Sequence, residues 1–273
     1  MPHVRRAAVA GSWYPDDPPR LVSELDAHLA NVDVVPEAAP RALVAPHAGL
    51  MYSGPVAAYA YNAVRRARPA TVVLVGPSHF VPFEGVSIWP DGAWETPLGS
   101  MQVDEDLADG IKAASDIIIE LPSAHGREHS LEMQLPFLAH LLPGVSIVPM
   151  VMGRQTQATS FALSHALARA IRESGKDVLL LASSDLSHYE DATVAATLDG
   201  VVVERVNALD AHGLMDALER EPRHACGGGP MVAVLDAATQ LGASNAQVLR
   251  YADSGDVSGD KSAVVGYMAA AIW

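Results

Sequence analysis

RALVAPHAGLMYSGPVAAYAYNAVRRARPATVVLVGPSH (41–79) reads as strand, helix, strand. RALVAP (41–46) is a short apolar run, GPVAAYAYNAVRRA (54–67) carries a helical pattern, and TVVLVGPS (71–78) is β-branched and ends in Gly-Pro. Uninterrupted apolar strands joined by helices build parallel sheets buried on both faces. The pattern continues outward. VSIVPMVMG (145–153), VLLLASSD (178–185), QVLRYAD (247–253) and SAVVGYMAAAI (262–272) are further strands, and helical patterns lie near 104–115, 129–142, 156–174, 193–218 and 230–241. The expectation is a single α/β domain over 1–273 with a mostly parallel sheet and helices on both faces. The Pro-rich stretch at 36–46 reads as a lead into the first strand, and no repeat or low-complexity segment interrupts the chain.

Composition narrows the partners. Of 273 residues, 49% are apolar but only 5% aromatic, so Val, Ala and Leu must fill the core. The formal charge of -14, with no basic run beyond Arg5-Arg6 and Arg65-Arg66, disfavours nucleic acid and anionic membranes. MPHVRRAAVAGSWYP is too polar for a signal peptide, and no window approaches the ~18 apolar residues of a membrane span. A single cysteine, Cys226, excludes an internal disulfide. A cytoplasmic protein of a reducing compartment is expected.

In open α/β sheets, sites collect at the carboxyl ends of strands. Three such ends carry unusual polar residues here: His47 after RALVAP, His79 after TVVLVGPS, and Asp185, Ser187 and His188 after VLLLAS. Two histidines placed so can give neutral nitrogens to one metal, or each can bond a loop carbonyl and be purely structural. Cys226 opens CGGGPMVAVLDAATQL, just before a helix, where exposed N–H groups favour a thiolate. That thiolate suits a nucleophile or a soft metal ligand, and the glycines beside it argue for close backbone approach to something.

REHSLEMQLPFL (127–138) sets Glu128 and His129 at a helix start, with His129 a candidate site residue and Glu132 as consistent with solvated surface. Asp185 and His188 suit an acid–base pair in which the carboxylate orients the imidazole, a metal-supporting pair, or local turn capping. Asp253, Ser254 and Asp256 in YADSGDVSGDKSAVVGY line a pocket or merely connect a hairpin. The chain has no GxxxxGK[ST], no GxGxxG after a strand, no HExxH and no GxSxG.

Taken in order, AGSWYP (10–15), APHAG (45–49), GPSH (76–79), EHSLEMQLPFL (128–138), SSDLSH (183–188), CGGGP (226–230) and YADSGD (251–256) resemble the Memo family, named for a mediator of ErbB-driven cell motility and called AmmeMemoRadiSam system protein B in prokaryotes. The resemblance implies a fold similar to the class III extradiol dioxygenases, which open catechol rings with non-haem iron. It implies metal ligands at His47, His79 and Cys226, and polar pocket partners at His129, Asp185 and His188, with His188 as general acid–base. Trp13 and Tyr14 of the first block, and Ser254 and Asp256 of the last, are expected to contact substrate. The chain departs from the family at Gly228, where a basic residue is common, and at Phe80, where a histidine is.

The functional expectation is therefore one metal ion, iron(II) first and copper or zinc next, in a redox enzyme acting on an unidentified small molecule. A thiolate ligand is softer than the carboxylate of ring-opening enzymes, which weakens catechol cleavage as the reaction. The alternatives are a module that binds peptide or phosphopeptide without turnover, and a thiol-dependent enzyme using Cys226. The family's prokaryotic name also implies a pathway shared with an AMMECR-type protein and a radical SAM enzyme.

Overall fold

The computed structural model describes residues 3–34, 36 and 38–273; Met1, Pro2, and Val35 and Glu37 at the Pro-rich lead lie outside the described residues. Its strands are β1 (Val4–Arg5), β2 (Ala42–Ala45), β3 (Thr71–Pro77), β4 (Val86–Ile88), β5 (Ala93–Thr96), β6 (Gly99–Gln102), β7 (Ile118–Ile119), β8 (Ser146–Met152), β9 (Val178–Ser183), β10 (His188–Glu190), β11 (Ala246–Asp253) and β12 (Val264–Ile272). Among the described residues, nine of them form one sheet in the order β10-β12-β2-β9-β3-β8-β4-β7, with β11 also paired to β12.

The middle of that sheet is what the apolar runs dictate. β2, β9, β3 and β8 run parallel, in a register that sets Val44 beside Ala182 and Val73 between Leu180 and Val148. Every residue of β2 and β3 is buried, because helices cover both faces and leave no side for polar alternation. The flanks are antiparallel: β12 pairs β2, β10 and β11 pair β12, and β4 pairs β8. A separate three-stranded sheet, β1-β5-β6, stands apart.

Helix Leu50–Ala63 packs on β2, β11 and β12, with helices Pro18–Ala30 and Leu135–Leu141 behind it. On the other face, helix Gly228–Gln240 lies over β2, β3 and β9, backed by Gln157–Ser174 and Ala211–Arg220. No helix among the described residues is long and apolar enough to cross a membrane.

Two helical readings need correction. The pattern at 193–218 is two helices, Ala192–Asn207 and Ala211–Arg220. Between them Leu209 turns left-handed (φ 53°), and Asp210 caps the second by accepting from Gly213 N. The pattern at 129–142 becomes a 3₁₀ turn, Glu132–Gln134, before the helix proper. The helix Pro18–Ala30 escaped the sequence reading. Its signal was present: Leu21, Leu25 and Leu29 are buried at four-residue spacing behind the Asp17 cap and Pro18.

Asp104 ties three elements together. It caps helix Glu105–Ala113 by accepting from Leu107 N, and it accepts from Thr71 Oγ1 of β3 and from Lys176 Nζ at 2.6 Å. Burial alone would raise its carboxyl; the Lys176 and Thr71 hydrogen bonds outweigh burial and hold it below the usual value. A carboxylate whose folded value is depressed contributes stability above the unfolded value, and that contribution fades as pH falls through the folded one. Asp104→Ala is therefore expected to cost about 1–3 kcal/mol at pH 7. Urea unfolding should show the gap from the parent narrowing below about pH 4.

Candidate metal centre

The carboxyl ends of β2, β3 and β9 open side by side, and the chain leaves each with a polar residue. His47 follows β2 and is buried; His79 follows β3, its side chain 27% exposed; Ser183 ends β9 and leads to Asp185. Cys226 arrives from the loop before helix Gly228–Gln240. Ligand atoms of His47, His79 and Cys226 all lie within 4.8 Å of one another. Cys226 Sγ is 3.2 Å from His47 Nε2. Bonds of about 2.0–2.1 Å to nitrogen and 2.3 Å to sulfur, at a tetrahedral angle, separate such atoms by about 3.5 Å. The pair already stands within a few tenths of an ångström of that spacing.

Hydrogen bonds fix which nitrogen each histidine offers. Ser183 Oγ donates its one proton to Ser130 O (2.6 Å) and accepts from Gln134 Nε2 (2.7 Å), so toward His47 Nδ1 (2.9 Å) it can only accept. His47 must carry its proton on Nδ1 and present a bare Nε2 to Cys226. Gln134 is held in turn, its Oε1 accepting from Tyr61 Oη and its Nε2 also donating to Pro46 O. His79 Nδ1 meets Glu128 Oε1 at 2.9 Å, and a carboxylate accepts, so His79 also presents Nε2. Glu128 Oε2 accepts the His79 N–H at 2.6 Å as well, clamping ring and backbone together.

Burial sets the charges. It pushes His47 well below the ordinary imidazole value, helped by His79 and His129 nearby. His129 falls to about 4, by burial and then by His79. Burial would raise Glu128, but its bonds to His79 and Ser130 win and hold it at about 2. Neutral imidazoles supported by a carboxylate are what a metal needs. The Cys226 thiol departs from expectation: burial, then Asp185, pushes it up rather than down. The helix N–H groups do not offset that, because Gly229 N is taken by Gln155 Oε1 and Gly227 N by Ser184 Oγ. A divalent ion would displace the thiol proton, so the donor set of two neutral imidazoles and one thiolate fits an ion such as iron(II), copper or zinc.

The remaining candidates divide. His129 stacks on His79 (centroids 4.6 Å, 18°) and stands 5.6 Å from His47, so it belongs to the centre; with His79 and Glu128 it forms a second group of candidate ligands. Trp13 lies against His129 at 4.3 Å. Asp185 does not orient His188. Its Oδ1 accepts from the backbone N–H of His47 at 2.7 Å, Ala48 N–H also donates to the carboxylate, and burial lifts it to about 7. His188 instead donates from Nδ1 to Leu186 O at 2.8 Å, which leaves its Nε2 bare, and burial lowers its value.

Tyr14 is turned away from any ligand: buried, it donates to Glu132 Oε1 at 2.8 Å. Ser254 Oγ accepts from Val265 N and serves the β11–β12 connection, while Asp256 pairs with Lys261 at 2.6 Å beside a separate cleft of about 400 Å³. Neither joins the metal centre.

Glu132 overturns the solvated-surface reading. It is fully buried and accepts from Arg5 Nη1 (2.7 Å), Ala8 N, Val9 N and Tyr14 Oη, pinning the N-terminal segment that carries Trp13. The glycines after Cys226 do permit close approach, but to protein. A Cβ at Gly227 would lie 2.5 Å from Ser183 O, at Gly228 2.5 Å from Leu218 Cδ2, and at Gly229 2.7 Å from Met152 Sδ. The departure at Gly228 is therefore a packing requirement. Gln134 and Ser183, which set the His47 tautomer, went unread because both look like ordinary polar residues on their elements.

The sequence profile of Memo-like proteins matches residues 5–271. The chain belongs to the Memo family. MEMO1 family proteins of Methanothermobacter thermautotrophicus and Methanosarcina mazei are 40% and 42% identical to it, over 97% of this chain and 98% of theirs. That of Ignicoccus hospitalis is 40% identical over 97% of each chain. The crystal structure of an uncharacterised protein of Escherichia coli K12 superposes with a TM-score of 0.54 at 17% identity, covering 83% of this chain and 98% of that one; the likeness is one of fold.

Two variants separate holding the metal from building the site. Glu128→Gln removes the charge behind His79 and should weaken zinc affinity about 10–100-fold in a competition titration. Glu132→Ala strands the buried Arg5 guanidinium and should cost about 3–5 kcal/mol in chemical denaturation.

Proposed function

We propose that this Memo-family protein holds one metal ion, iron(II) in the cell, on His47 Nε2, His79 Nε2 and Cys226 Sγ, and is a redox enzyme acting on a small molecule. The observation that carries this is the convergence of two bare, hydrogen-bond-oriented imidazole nitrogens and one thiol within 4.8 Å. When bound, the ion supplies open coordination positions and electron-transfer chemistry to a substrate.

The chain's own residues do the rest. Glu128 and Ser183 hold the ligating rings, and Asp185 anchors the backbone of His47. His188, neutral and bare at Nε2, takes the role of proton acceptor, with Leu186 O fixing its tautomer. His129, stacked on His79 and also held neutral by burial, is the second group able to move a proton at the site.

The buried, proton-retaining thiol weighs against Cys226 acting alone as a nucleophile, since the thiolate is the reactive form. A shared pathway with an AMMECR-type protein and a radical SAM enzyme belongs to the same proposal.

Metal analysis by mass spectrometry, on protein purified without oxygen, tests the reading. The parent should carry close to one iron per chain, and His47→Ala, His79→Ala and Cys226→Ala should each lose it while keeping the parent's circular dichroism. A parent that contains no metal and takes none up on soaking sinks the proposal. Rapid alkylation of Cys226 by iodoacetamide at neutral pH, with both histidine variants equally inert, would favour the thiol enzyme instead.

A further inference from the structure

Aromatic side chains are scarce in this chain: four Phe, four Trp and seven Tyr. Three of them are exposed, Trp13 at 38%, Phe80 at 48% and Tyr189 at 78%. All three abut a histidine of the metal centre. Trp13 lies 4.3 Å from the His129 ring, Phe80 lies 5.8 Å from His129 and 6.5 Å from His79, and Tyr189 lies 5.7 Å from His188. A core that buries its other aromatics has left its exposed ones around one opening. Exposed rings gathered so are found where a flat apolar partner docks.

Tyr189 adds a second sign. Its backbone is left-handed (φ 62°), a conformation disfavoured for a bulky side chain, and it sits at the irregular pairing of β10 with β12. Strain of this kind gathers at ligand sites, where a side chain must be aimed. Charge supplies the third. The Arg127 guanidinium lies 5.2 Å over the Phe80 ring, and the ion-paired side chains among the described residues do not include it. Nearby carboxylates are engaged elsewhere: Glu128 on His79, Glu190 on Arg223 and Glu84 on Arg154. The mouth of the centre thus presents aromatic faces and one unspent cation in an otherwise acidic protein.

We propose that Trp13, Phe80 and Tyr189 form an aromatic collar selecting a small planar aromatic molecule, and that Arg127 selects for an anionic group, such as a carboxylate, on its ring. This deepens the metal-centre reading and rests on it. Phe80 serves twice, as a stacking surface and as the platform that holds Arg127 by its ring face. Arg127 meets a carboxylate with its planar fork. Tyr14, Ser254 and Asp256 have no part in this surface.

Calorimetry on zinc-loaded protein tests it with probes that share one metal-binding head. Benzohydroxamate should bind about tenfold more tightly than cyclohexanecarbohydroxamate. That preference should fall toward unity in Trp13→Ala and in Phe80→Ala, which are exposed and should keep the parent's melting temperature. 4-Carboxybenzohydroxamate should outbind benzohydroxamate, and Arg127→Gln should erase that gain alone. Equal affinity for the ring and its saturated counterpart, or a preference untouched by both collar variants, overturns the proposal. If the protein takes up no zinc, the metal reading has failed separately. The collar is then read on the metal-free chain with 2-naphthoate: binding weakened by Trp13→Ala sustains it, and no binding overturns it.

Discussion

One proton decides how the centre is presented. The Ser183 hydroxyl has a single hydrogen, and the Ser130 carbonyl takes it. Both of its lone pairs are then committed, one to Gln134 and one to His47 Nδ1, so the bare nitrogen of His47 has nowhere to be but opposite Cys226. Behind Ser183 the chain of donors runs through Gln134 to Tyr61, deep in the core. Such a relay is costly to leave half-satisfied, which makes the orientation of one imidazole a property of the folded core. His79 is fixed by other means, a buried carboxylate gripping ring and backbone together. Two unlike devices give the same result: neutral rings with the same nitrogen turned inward.

The parallel core and the site's location were legible because they depend on local pattern. β2, β3, β8 and β9 are apolar runs whose ends could be read to within a residue or two, and their carboxyl ends carry His47, His79 and Ser183. What lay beyond the sequence depends on contacts between distant residues. Glu132 looks like a surface glutamate beside Gln134, and only the return of Arg5, Ala8 and Tyr14 across more than a hundred residues buries it. Asp185 and His188 are close in sequence, yet the carboxylate reaches His47 and the ring reaches Leu186. Tyr14 sits beside Trp13 in one motif, and the two point to opposite duties, one inward to Glu132 and one to the rim at His129. The thiol's charge was misjudged for a similar reason: a helix start favours a thiolate only where its N–H groups are free, and here Gln155 and Ser184 take two of them.

The glycines behind Cys226 and the aromatics at the rim divide the site into a fixed wall and an adjustable one. Gly227, Gly228 and Gly229 are pressed against Ser183, Leu218 and Met152, with no room for a side chain. Phe80 and Tyr189 stand in solvent with few neighbours to disturb. Changes in what the pocket admits are therefore cheaper at the rim than at the ligand loop.

The ligands' spacing along the chain has a further consequence, for the order of events during synthesis. His47 and Cys226 are 179 residues apart, and the carboxylate that clamps His79 follows it by 49. While the ribosome is still making the second half, the two histidines have already emerged and the thiol has not. A nascent chain can offer an ion two imidazoles but not the complete pocket, so a firmly held ion can arrive only once the last third of the polypeptide has folded back onto the first. Loading is in this way a late event in the protein's life, and the chain's own topology is what makes it so.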